Sequence, residues 1–320
     1  MSLDSLGYSN VSRIASGLTS TVWAAERVEG IACCVKQVTV SLGLSPAAKA
    51  SAKAAAREVR ALKALLGSKH VVQLRTVVMV GDSVCIEMER MDLSLADLIA
   101  STATPLPTDL VRAIIFQVVE GLNECHSAAL VHRDVKPANI LVSASSGLVK
   151  LCDFGLARRL AGYDGFNVQV GTPAVCTRWY KPVEILLGTV QHAASIDVWS
   201  LGCVTAELIL LKPLFPGQSD IQMLYEIFSV LGNVDLLIWP EAAQLPDFGK
   251  VDFHLTSLSP LSSRISNALA LEFVSDCLRM NPSQRPISSE LRRAIWFTQH
   301  ELLAPQVVVA LHLFELRRRN

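Results

Sequence analysis

Four side chains that could carry out one reaction lie in two neighbouring segments of the sequence. Residues 132–139 read His-Arg-Asp-Val-Lys-Pro-Ala-Asn, and Asp153-Phe154-Gly155 begins fourteen residues after Asn139. The two segments supply a carboxylate, an amine, a carboxamide and a second carboxylate. This set suits phosphoryl transfer, in which one carboxylate orients the attacking hydroxyl, a lysine neutralises the γ-phosphate, and the amide and the second carboxylate hold Mg²⁺.

The order of these residues, H-R-D-x-K-x-x-N followed by D-F-G, resembles the signature of eukaryotic protein kinases. We call residues 132–139 the catalytic loop. Eight ordered positions match, which argues against a polar loop with chance residues. The resemblance implies that Asp134 orients the substrate hydroxyl and that Lys136 stabilises the transferring phosphoryl group. It assigns Asn139 and Asp153 to Mg²⁺. Lysine two residues after the aspartate is similar to serine/threonine kinases rather than tyrosine kinases.

A strand-rich N-terminal third must position the nucleotide against these residues. Residues 14–22 lie where protein kinases carry a glycine-rich loop over the ATP phosphates, but only the central glycine is kept. Ala15 replaces the first glycine and Ser20 the third, which should stiffen the loop by restricting positive φ. By resemblance, the nucleotide-binding residues of this stretch are Ile14, Ala15, Ser16, Gly17, Ser20 and Val22.

The lysine at the end of the apolar run Cys33-Cys34-Val35 is a second candidate contact to ATP. Lys36 fits the strand lysine that reaches the α- and β-phosphates. Strong helix formers fill residues 47–66, which predicts a helix. Its predicted apolar face consists of Ala55, Val59, Leu62 and Leu66. Glu58 borders that face and is the predicted ion-pair partner of Lys36, and motion of the helix would make or break this pair.

The same helix bears on an activating partner. In cyclin-dependent kinases it carries the PSTAIRE-type segment, which binds the cyclin. The matching stretch here, residues 52–58, reads Ala-Lys-Ala-Ala-Ala-Arg-Glu, and only Arg-Glu is kept. The resemblance therefore leaves a cyclin-like activator open without indicating one.

The apolar strand Val84–Met91 should lead into the hinge between two lobes. Met88 fits best as the gatekeeper, with the backbone groups of Glu89 and Met91 binding adenine. A register two residues earlier, with Ile86 as the gatekeeper, is the alternative. The adenine contacts are made by the backbone, so the side chains do not decide between the two registers.

The segment from Asp153 to Glu184 resembles a kinase activation segment. Thr172 lies five residues before Thr177, the position of the activating threonine in cyclin-dependent kinases. The positions that gather around a phosphothreonine in that family are occupied by Arg57, Arg133 and Arg158. A dianion that meets three guanidinium groups can order a loop, so we predict that an upstream kinase phosphorylates Thr172. The competing interpretation is a threonine in a flexible loop with unrelated arginines.

The end of this segment bears on the choice of substrate. By resemblance, Thr177 hydrogen-bonds near Asp134 and Lys136, as in serine/threonine kinases. Lys181-Pro182-Val183-Glu184 stands where Arg-Ala-Pro-Glu is expected, and Arg285 stands at the usual partner of Glu184. The arginine replaced by Lys181 helps proline-directed kinases to accept proline, and lysine cannot make the same bidentate fork. Proline-directed specificity is expected, and Lys181 weakens that expectation.

Further segments narrow the family. The stretches that resemble the cyclin-dependent-kinase-like members of the CMGC group are Leu211–Gly217, Ser219–Ile221, Val230–Asn233 and Trp239-Pro240. Trp239-Pro240-Glu241 together with Leu245-Pro246-Asp247-Phe248 is most similar to the cell-cycle-related kinases and the plant cyclin-dependent-kinase-activating kinases. The resemblance also implies that Asp197 anchors the backbone of the catalytic loop.

The composition limits the classes of protein. Hydrophobic residues make up 51% and charged residues 18%, so a sizeable core can be buried. The formal net charge is zero, which argues against nucleic acid or anionic lipid as a general partner. No apolar run reaches the roughly 18 residues of a membrane span. No C-x-x-C pair and no secretory signal are visible, so reduced thiols and a cytoplasmic and/or nuclear location are expected.

The predicted fold class is α+β, a bilobal protein kinase fold. A small β-rich N-lobe is placed at residues 1–91, a larger α-helical C-lobe at 92–297 and a C-terminal tail at 298–320. The implied activity is transfer of the γ-phosphate of MgATP to serine or threonine in a protein substrate. The rivals are a pseudokinase scaffold, suggested by the degenerate glycine loop, and a small-molecule phosphotransferase.

The tail contains an apolar helix candidate, Val307–Leu316, with the basic end Arg317-Arg318-Arg319. A short helix packed on the large lobe is expected, because arginines are favourable at a helix C-terminus. A surface for docking or lipid contact is the alternative.

Overall fold

A five-stranded antiparallel sheet forms the N-terminal part of the computed structural model. The structure describes residues 3–17, 19–27, 30–40, 46–160, 178–189, 193–253, 255, 258–299 and 304–319. The strands of the sheet are β1 (Tyr8–Ser16), β2 (Ser20–Arg27), β3 (Ala32–Thr39), β4 (Leu74–Val80) and β5 (Ser83–Glu89). Their order is β1-β2-β3-β5-β4, so β3 lies at the centre of the sheet.

The two faces of this sheet have different roles. Val22, Lys36 and Ile86 lie directly opposite one another on β2, β3 and β5, so their side chains share one face. The other face packs beneath a short 3₁₀ turn at Leu3–Leu6. The buried apolar residues of this second face are Leu3, Tyr8, Ala25, Cys33, Val35, Val80 and Cys85. The sheet therefore has its own small core and leaves the face with Lys36 for the site.

Helix α1 (Pro46–Ala64) connects β3 to β4. The predicted helix extended to Leu66, and that part of the prediction is wrong: Leu66 is 58% exposed because the helix has already ended and Gly67 turns the chain with a φ of +85°. Leu65 is buried in its place. Glu58 does not border the apolar face but lies within it, with only 2% of its surface exposed.

The C-terminal part is mainly helical. Its helices are α2 (Leu95–Ser101), α3 (Thr108–Ser127), α4 (Val183–Leu186), α5 (Ser195–Leu210), α6 (Asp220–Leu231), α7 (Leu261–Arg264), α8 (Ala268–Cys277), α9 (Ser288–Leu291), α10 (Ile295–Thr298) and α11 (Pro305–Arg319). Helices α3 and α5 are the most deeply buried, because apolar residues occupy most of their circumference. No helix within the described ranges is long and apolar enough to cross a membrane.

Five short strands lie among these helices. They are β6 (Leu93–Ser94), β7 (Leu130–Val131), β8 (Ile140–Val142), β9 (Val149–Leu151) and β10 (Arg158–Arg159). They pair as a three-stranded sheet, β6-β8-β9, and a two-stranded sheet, β7-β10. Strand β8 begins directly after Asn139, and β9 ends two residues before Asp153. The hairpin of β8 and β9 therefore brings the catalytic loop and Asp153 together.

The connection between α1 and β4 ties the N-terminal sheet to the helical part. The amide of Leu151 donates to the carbonyl of His70, and the amide of Val72 donates to the carbonyl of Leu151. The carbonyl of His70 also approaches Gly121 of α3 so closely that a Cβ there would lie 2.7 Å from it. Only glycine allows this approach, which fixes the connection against α3 and β9.

Candidate active site

Lys36 joins three distant segments of the chain. Its Nζ donates to Glu58 Oε1 at 2.9 Å and Oε2 at 2.8 Å, and to Asp153 Oδ1 at 2.8 Å. The predicted pair of Lys36 and Glu58 is thus confirmed, and Asp153 is added to it. The side chain of Asp153 is 42% exposed, whereas that of Glu58 is almost completely buried. One carboxylate therefore fixes the lysine from inside, and the other faces open space.

The charges of this cluster alter one another. Burial lowers the pKa of Lys36, but the carboxylates of Glu58 and Asp153 outweigh burial and raise it above its usual value. For Asp153, burial is the largest single influence and raises the pKa, but the charge and hydrogen bond of Lys36, with His132 and the amide of Gly155, together outweigh it, so the pKa is lowered. Burial raises the pKa of Glu58, and Lys36 offsets this only in part. Lys36 and Asp153 are accordingly charged at neutral pH.

In the catalytic loop, Asp134 is bound by the two other predicted polar residues. Lys136 Nζ donates to Asp134 Oδ2 at 2.8 Å, and Asn139 Nδ2 donates to the same oxygen at 2.8 Å. Asn139 Nδ2 also donates to the carbonyl of Asp134. The amide of Cys152 donates to the carbonyl of Asn139 at 3.0 Å. A continuous chain of contacts thus runs from Asp134 through Asn139 to the residue before Asp153.

Asp197 of α5 holds the catalytic loop by its backbone. Its carboxylate accepts the amides of His132 at 2.8 Å and Arg133 at 2.7 Å, and a third bond joins it to His126 Nε2 at 3.0 Å. Asp197 is completely buried. Burial is the largest single influence and raises its pKa, but His126, His132 and the amide of Arg133 together outweigh it, so the pKa is lowered. The predicted anchoring role of Asp197 is confirmed.

The loop has an unusual backbone at its second residue. Arg133 has a φ of +68°, a conformation that a non-glycine residue rarely adopts. The bonds from Asp197 to the two consecutive amides around this turn stabilise it. His132 is buried, donates through Nε2 to the carbonyl of Cys152, and packs on Phe154 with ring centroids 4.7 Å apart. These contacts tie Asp153-Phe154-Gly155 to the loop.

The degenerate glycine loop is a normal hairpin in the described residues. Ala15 pairs with Val22, and Ser20 pairs with Val38, each in extended strand conformation. Neither residue has a positive φ. The amide of Gly17 donates to the carbonyl of Ser20 at 2.7 Å and closes the tip. Ile14 lies at a register shift of β1 and is exposed, so the replacement of two glycines does not strain this backbone.

Both candidate gatekeepers face the Lys36 side of the sheet. Ile86 lies directly opposite Lys36 and is fully buried, and Met88 lies opposite Cys34 and is nearly as well buried. Strand β5 ends at Glu89, and Met91 follows as a half-buried residue against the core. The two registers stay open, because the side chains of both residues share the same face.

Two of the three predicted phosphate-pairing arginines lie close together, and the described part of the chain supplies no counter-ion to them. The Nε atoms of Arg57 and Arg158 are buried and have no hydrogen-bond partner in the described part of the chain. Burial lowers the pKa of Arg57, and the charge of Arg158 lowers it further. Arg133 Nη1 donates to the carbonyl of Leu156. Thr172 and Thr177 lie outside the described residues.

The end of the activation segment is anchored to the helical core. Arg285 forms a bidentate pair with Glu184, with both N–O distances at 2.7 Å, and stacks on Trp199 at 4.8 Å from the ring centroid. This pair was predicted from the sequence and is confirmed. Tyr180 OH donates to the buried Glu207 at 2.7 Å. Lys181 is half-buried beside this anchor.

Comparison with known proteins agrees with this geometry. The protein kinase domain family matches residues 8–297. The chain is 35% identical to Cyclin-dependent kinase 20 of Rattus norvegicus and of Homo sapiens over 286 residues, which cover 88% of this chain and 80% of the relative. It is 33% identical to Cyclin-dependent kinase 20 of Danio rerio over 285 residues, with the same coverage.

The chain belongs to the protein kinase family. It is a serine/threonine protein kinase of the cyclin-dependent-kinase-like group, as the sequence predicted. The predicted α+β bilobal fold class is confirmed with it, since the N-terminal sheet and the helical part correspond to the two lobes. Members of this family use ATP and Mg²⁺.

Sequence reasoning missed two groups of polar residues in this kinase. Glu89 accepts hydrogen bonds from Lys150 Nζ at 2.6 Å and from the amide of Gln73 at 2.7 Å, which ties the hinge to β9. Glu87, on the opposite face of the sheet, accepts from Tyr8 OH at 2.6 Å and from Arg27. A glutamate in an otherwise apolar strand was the available signal, because a buried carboxylate requires partners.

Proposed function

We propose that this kinase transfers the γ-phosphate of ATP to serine and threonine hydroxyls of proteins at a site formed by Lys36, Asp134, Asn139 and Asp153. The supporting observation is the chain of contacts that joins them. Asp134 is bonded to Asn139, Asn139 to the amide of Cys152, and the next residue, Asp153, to Lys36. Side chains as much as 117 residues apart in sequence therefore surround one point.

The catalytic loop supplies the proposed base and its neutralising cation. Asp134 orients the substrate hydroxyl and accepts its proton, since its carboxylate is held by Asn139 and Lys136 in a fixed orientation. Lys136 stabilises the transferring phosphoryl group, and its ammonium is already next to Asp134. Thr177, by resemblance, completes this group.

The residues present fit a nucleotide with its metal. ATP supplies the phosphoryl group, and Mg²⁺ neutralises charge on the phosphates. Mg²⁺ prefers oxygen ligands and is bound by one or two carboxylates together with phosphates. The partly exposed carboxylate of Asp153 and the amide oxygen of Asn139 suit it, since the amide nitrogen of Asn139 is used on Asp134. Lys36 is the proposed partner of the α- and β-phosphates.

The remaining proposed nucleotide contacts lie around Lys36. The backbone groups of Glu89 and Met91 are proposed to bind adenine. The β1–β2 hairpin is proposed to cover the phosphates through Ile14, Ala15, Ser16, Gly17, Ser20 and Val22. Val22 is directly opposite Lys36, which supports this placement.

Radiolabel transfer from ATP to a protein substrate tests the proposal. Asp134→Asn should lower kcat by about 10²–10⁴-fold, because the amide cannot accept the proton. Asp276→Asn, an exposed carboxylate paired with Arg279, is the matched control and should keep wild-type activity. Equal activity of Asp134→Asn and wild type would contradict the proposal and favour a pseudokinase scaffold. The unstrained backbone of Ala15 and Ser20 removes the main structural reason for that rival.

Phosphorylation of Thr172 by an upstream kinase is proposed as the activating step. Arg57 and Arg158 carry buried Nε atoms without a partner in the described ranges, and their charges repel each other. A phosphate dianion would relieve this repulsion and pair with both, together with Arg133. Thr172→Ala, tested after incubation with a cell extract and ATP, should lose most of the activity gained by wild type. Equal gain in both would contradict the proposal.

A preference for proline after the acceptor is proposed for the substrate. The resemblance of 211–217 and 239–248 to cyclin-dependent-kinase-like enzymes supports it, and Lys181 in place of arginine predicts a weak preference. A peptide library read for the position after the acceptor is the test. Lys181→Arg should sharpen the proline preference, whereas an unchanged, proline-independent profile in both proteins would contradict the proposal.

A cyclin-like activator and a cytoplasmic and/or nuclear location are also proposed, and nucleic acid is not proposed as a partner. The relatives are cyclin-dependent kinases by name, and α1 carries the Glu58 that pairs with Lys36; both observations support the activator. The zero net charge supports the absence of nucleic-acid binding. Co-purification of a cyclin-fold protein from cells, lost on substitution of exposed α1 residues such as Lys53, tests the activator. Fractionation of the same cells tests the location.

A further inference from the structure

A buried lysine of the large lobe is paired with the hinge. Lys150, in the middle of β9, has only 8% of its side chain exposed, and its Nζ donates to Glu89 Oε1 at 2.6 Å. Glu89 ends β5, the strand that leads into the hinge. An ammonium buried to this degree is costly unless it is paired and hydrogen-bonded. The pair therefore depends on two strands, one from each lobe, that keep a fixed distance from each other.

The same carboxylate also holds the connection between α1 and β4. Glu89 Oε1 accepts the amide of Gln73 at 2.7 Å, and the amide of Glu89 donates to the carbonyl of Gln73 at 3.0 Å. The Nε2 atom of Gln73 donates to the carbonyls of Ser68 and Val71. Its Oε1 atom accepts the amide of Gly67, three residues after the end of α1. One glutamate thus joins β9, the hinge and the segment that follows α1.

These contacts close into a ring. Strand β9 is bonded to the same connection through the backbone of Leu151. The ring therefore runs from β9 to the connection, from the connection to the hinge, and from the hinge back to β9. One lobe cannot rotate against the other without lengthening at least one of these bonds, and linked hydrogen bonds strengthen one another. We call Lys150, Glu89 and Gln73 the hinge network.

The hinge network spans the two ends of the proposed nucleotide site. Glu89 lies at the adenine end, and β9 ends two residues before Asp153, the proposed metal ligand at the phosphate end. A nucleotide that fills the site touches both ends at once, so its affinity depends on the distance between them. A site in which this distance is fixed before binding avoids the cost of ordering it when the nucleotide enters.

We propose that Lys150 is a positioning residue for MgATP. It acts through Glu89, by holding the hinge at the distance from Asp153 that the nucleotide requires. The inference rests on the proposed nucleotide site and adds to it a residue that controls its affinity. Since the loop that carries Asp134 is anchored separately by Asp197, loss of Lys150 should change the binding of nucleotide more than the rate of the chemical step.

Calorimetric titration of the kinase with MgADP tests the proposal without phosphoryl transfer. Lys150→Met keeps an unbranched side chain of similar length and removes its charge, so the Kd for MgADP should rise about tenfold. In kinase assays KM for ATP should rise by a similar factor, while kcat changes by less than about twofold. Lys150→Arg, which keeps the charge and the donor groups, should recover most of the affinity.

Glu89→Gln tests whether the two residues act as one unit. Glutamine keeps an oxygen for the amide of Gln73 but loses the charge that pairs with Lys150. This variant should weaken MgADP binding by about as much as Lys150→Met. The double variant should bind no more weakly than either single variant, because substitutions within one network are not additive. Fully additive losses would show that the two residues act independently and would overturn the proposal.

Two controls separate positioning from stability. Gln117→Leu removes a buried side chain of α3 that bonds to the backbone of Gly147 and Val149, at the start of β9, with both distances at 3.1 Å. It should lower the melting temperature and leave the Kd for MgADP unchanged. Lys250→Met removes an exposed lysine that pairs with Asp247 at the same 2.6 Å as the pair at the hinge. It should change neither value.

Two further results would overturn the proposal. The first is an unchanged Kd for MgADP in Lys150→Met and Glu89→Gln together with a lower melting temperature, as in Gln117→Leu, which would make the hinge network purely structural. The second is tighter binding of MgADP or a higher kcat in Lys150→Met, which would show that the network restrains the lobes instead of positioning the nucleotide.

Failure of the proposed function has a different signature. Equal activity of Asp134→Asn and wild type would contradict phosphoryl transfer at this site. A Kd for MgADP that depends on Lys150 would support the positioning role in that case too, because the titration measures binding alone.

Discussion

The catalytic loop and the lysine that faces it are held in place by different means. Asp197 is completely buried and binds two consecutive backbone amides, so it fixes the path of the loop itself. Lys36 is held through side chains alone, by Glu58 on a helix and by the partly exposed Asp153. A backbone held by a buried carboxylate is rigid, whereas a side-chain cluster follows the helix that supplies it. The part of the site that carries Asp134 is thus fixed, and the part around Lys36 is adjustable.

This difference suits an enzyme that is switched. Moving α1 would separate Glu58 from Lys36 without disturbing Asp134, since the loop with Asp134 is anchored on α5. The 3₁₀ turn Phe154–Leu156 lies against α1, so the same motion reaches Asp153-Phe154-Gly155. A partner or a modification needs to act on one lobe only.

Removing the anchor should have the largest effect. Asp197→Asn replaces an acceptor of two amides by a group with an N–H donor, and leaves at least one buried amide unpaired. We expect a loss of about 3 kcal/mol or more in the free energy of unfolding and a parallel loss of activity. Urea unfolding and kinase assays measure both. The control Asp276→Asn should stay within about 0.5 kcal/mol of wild type. A change as small as this in Asp197→Asn would contradict the conclusion that Asp197 holds the catalytic loop rigidly.

Neutralising the helix carboxylate should affect activity more than stability. In Glu58→Gln, Lys36 keeps Asp153, and the cost of burying a charge at position 58 disappears. We expect kcat/KM for ATP to fall by roughly 10²-fold, with a smaller stability loss than in Asp197→Asn. Lys63→Gln on the exposed side of the same helix is the control. A variant that loses stability as strongly as Asp197→Asn would show that the cluster is structural and not adjustable.

The anchor should also show in the pH dependence of stability. The pKa of Asp197 in the folded state lies below its ordinary value of 3.8, so its carboxylate stabilises the fold above that value. This contribution is lost as pH falls through the lower folded-state pKa. The difference in unfolding free energy between wild type and Asp197→Asn should therefore be constant from pH 7 to about 5 and shrink below pH 4. A difference that grows as the pH falls would show that folding raises the pKa of Asp197 instead of lowering it.

Restoring the missing glycines should have the smallest effect. Ala15 and Ser20 adopt extended backbone that any residue can adopt, so Ala15→Gly and Ser20→Gly should change KM for ATP by less than about threefold. Each should destabilise the fold by about 0.5–1 kcal/mol, because glycine weakens a strand. Val22→Asp, which places a charge opposite Lys36, serves as the positive control. A tenfold drop in KM for either glycine variant would show that the hairpin limits nucleotide binding.

The sequence predicted those parts of the site in which residue order carries the information. The catalytic loop, Asp153, the partner of Lys36 and the pair of Glu184 and Arg285 were all found from ordered motifs. Leu66 was misplaced, since helix periodicity alone does not locate the last turn. The bonds from Lys150 to Glu89 and from Tyr8 to Glu87 join residues 61 and 79 positions apart, and no local pattern links them. Such contacts become visible only when the sheet registers are known.

The cluster of one ammonium and two carboxylates around Lys36 has a further consequence. Glu58 is buried, so Asp153 is the carboxylate of the cluster that faces an entering nucleotide. A bare triphosphate entering beside it would be repelled, while the same nucleotide carrying a divalent ion meets an attractive field at Asp153. We therefore expect the negative charge of Asp153 to favour metal-loaded nucleotide before any part of the protein closes around it.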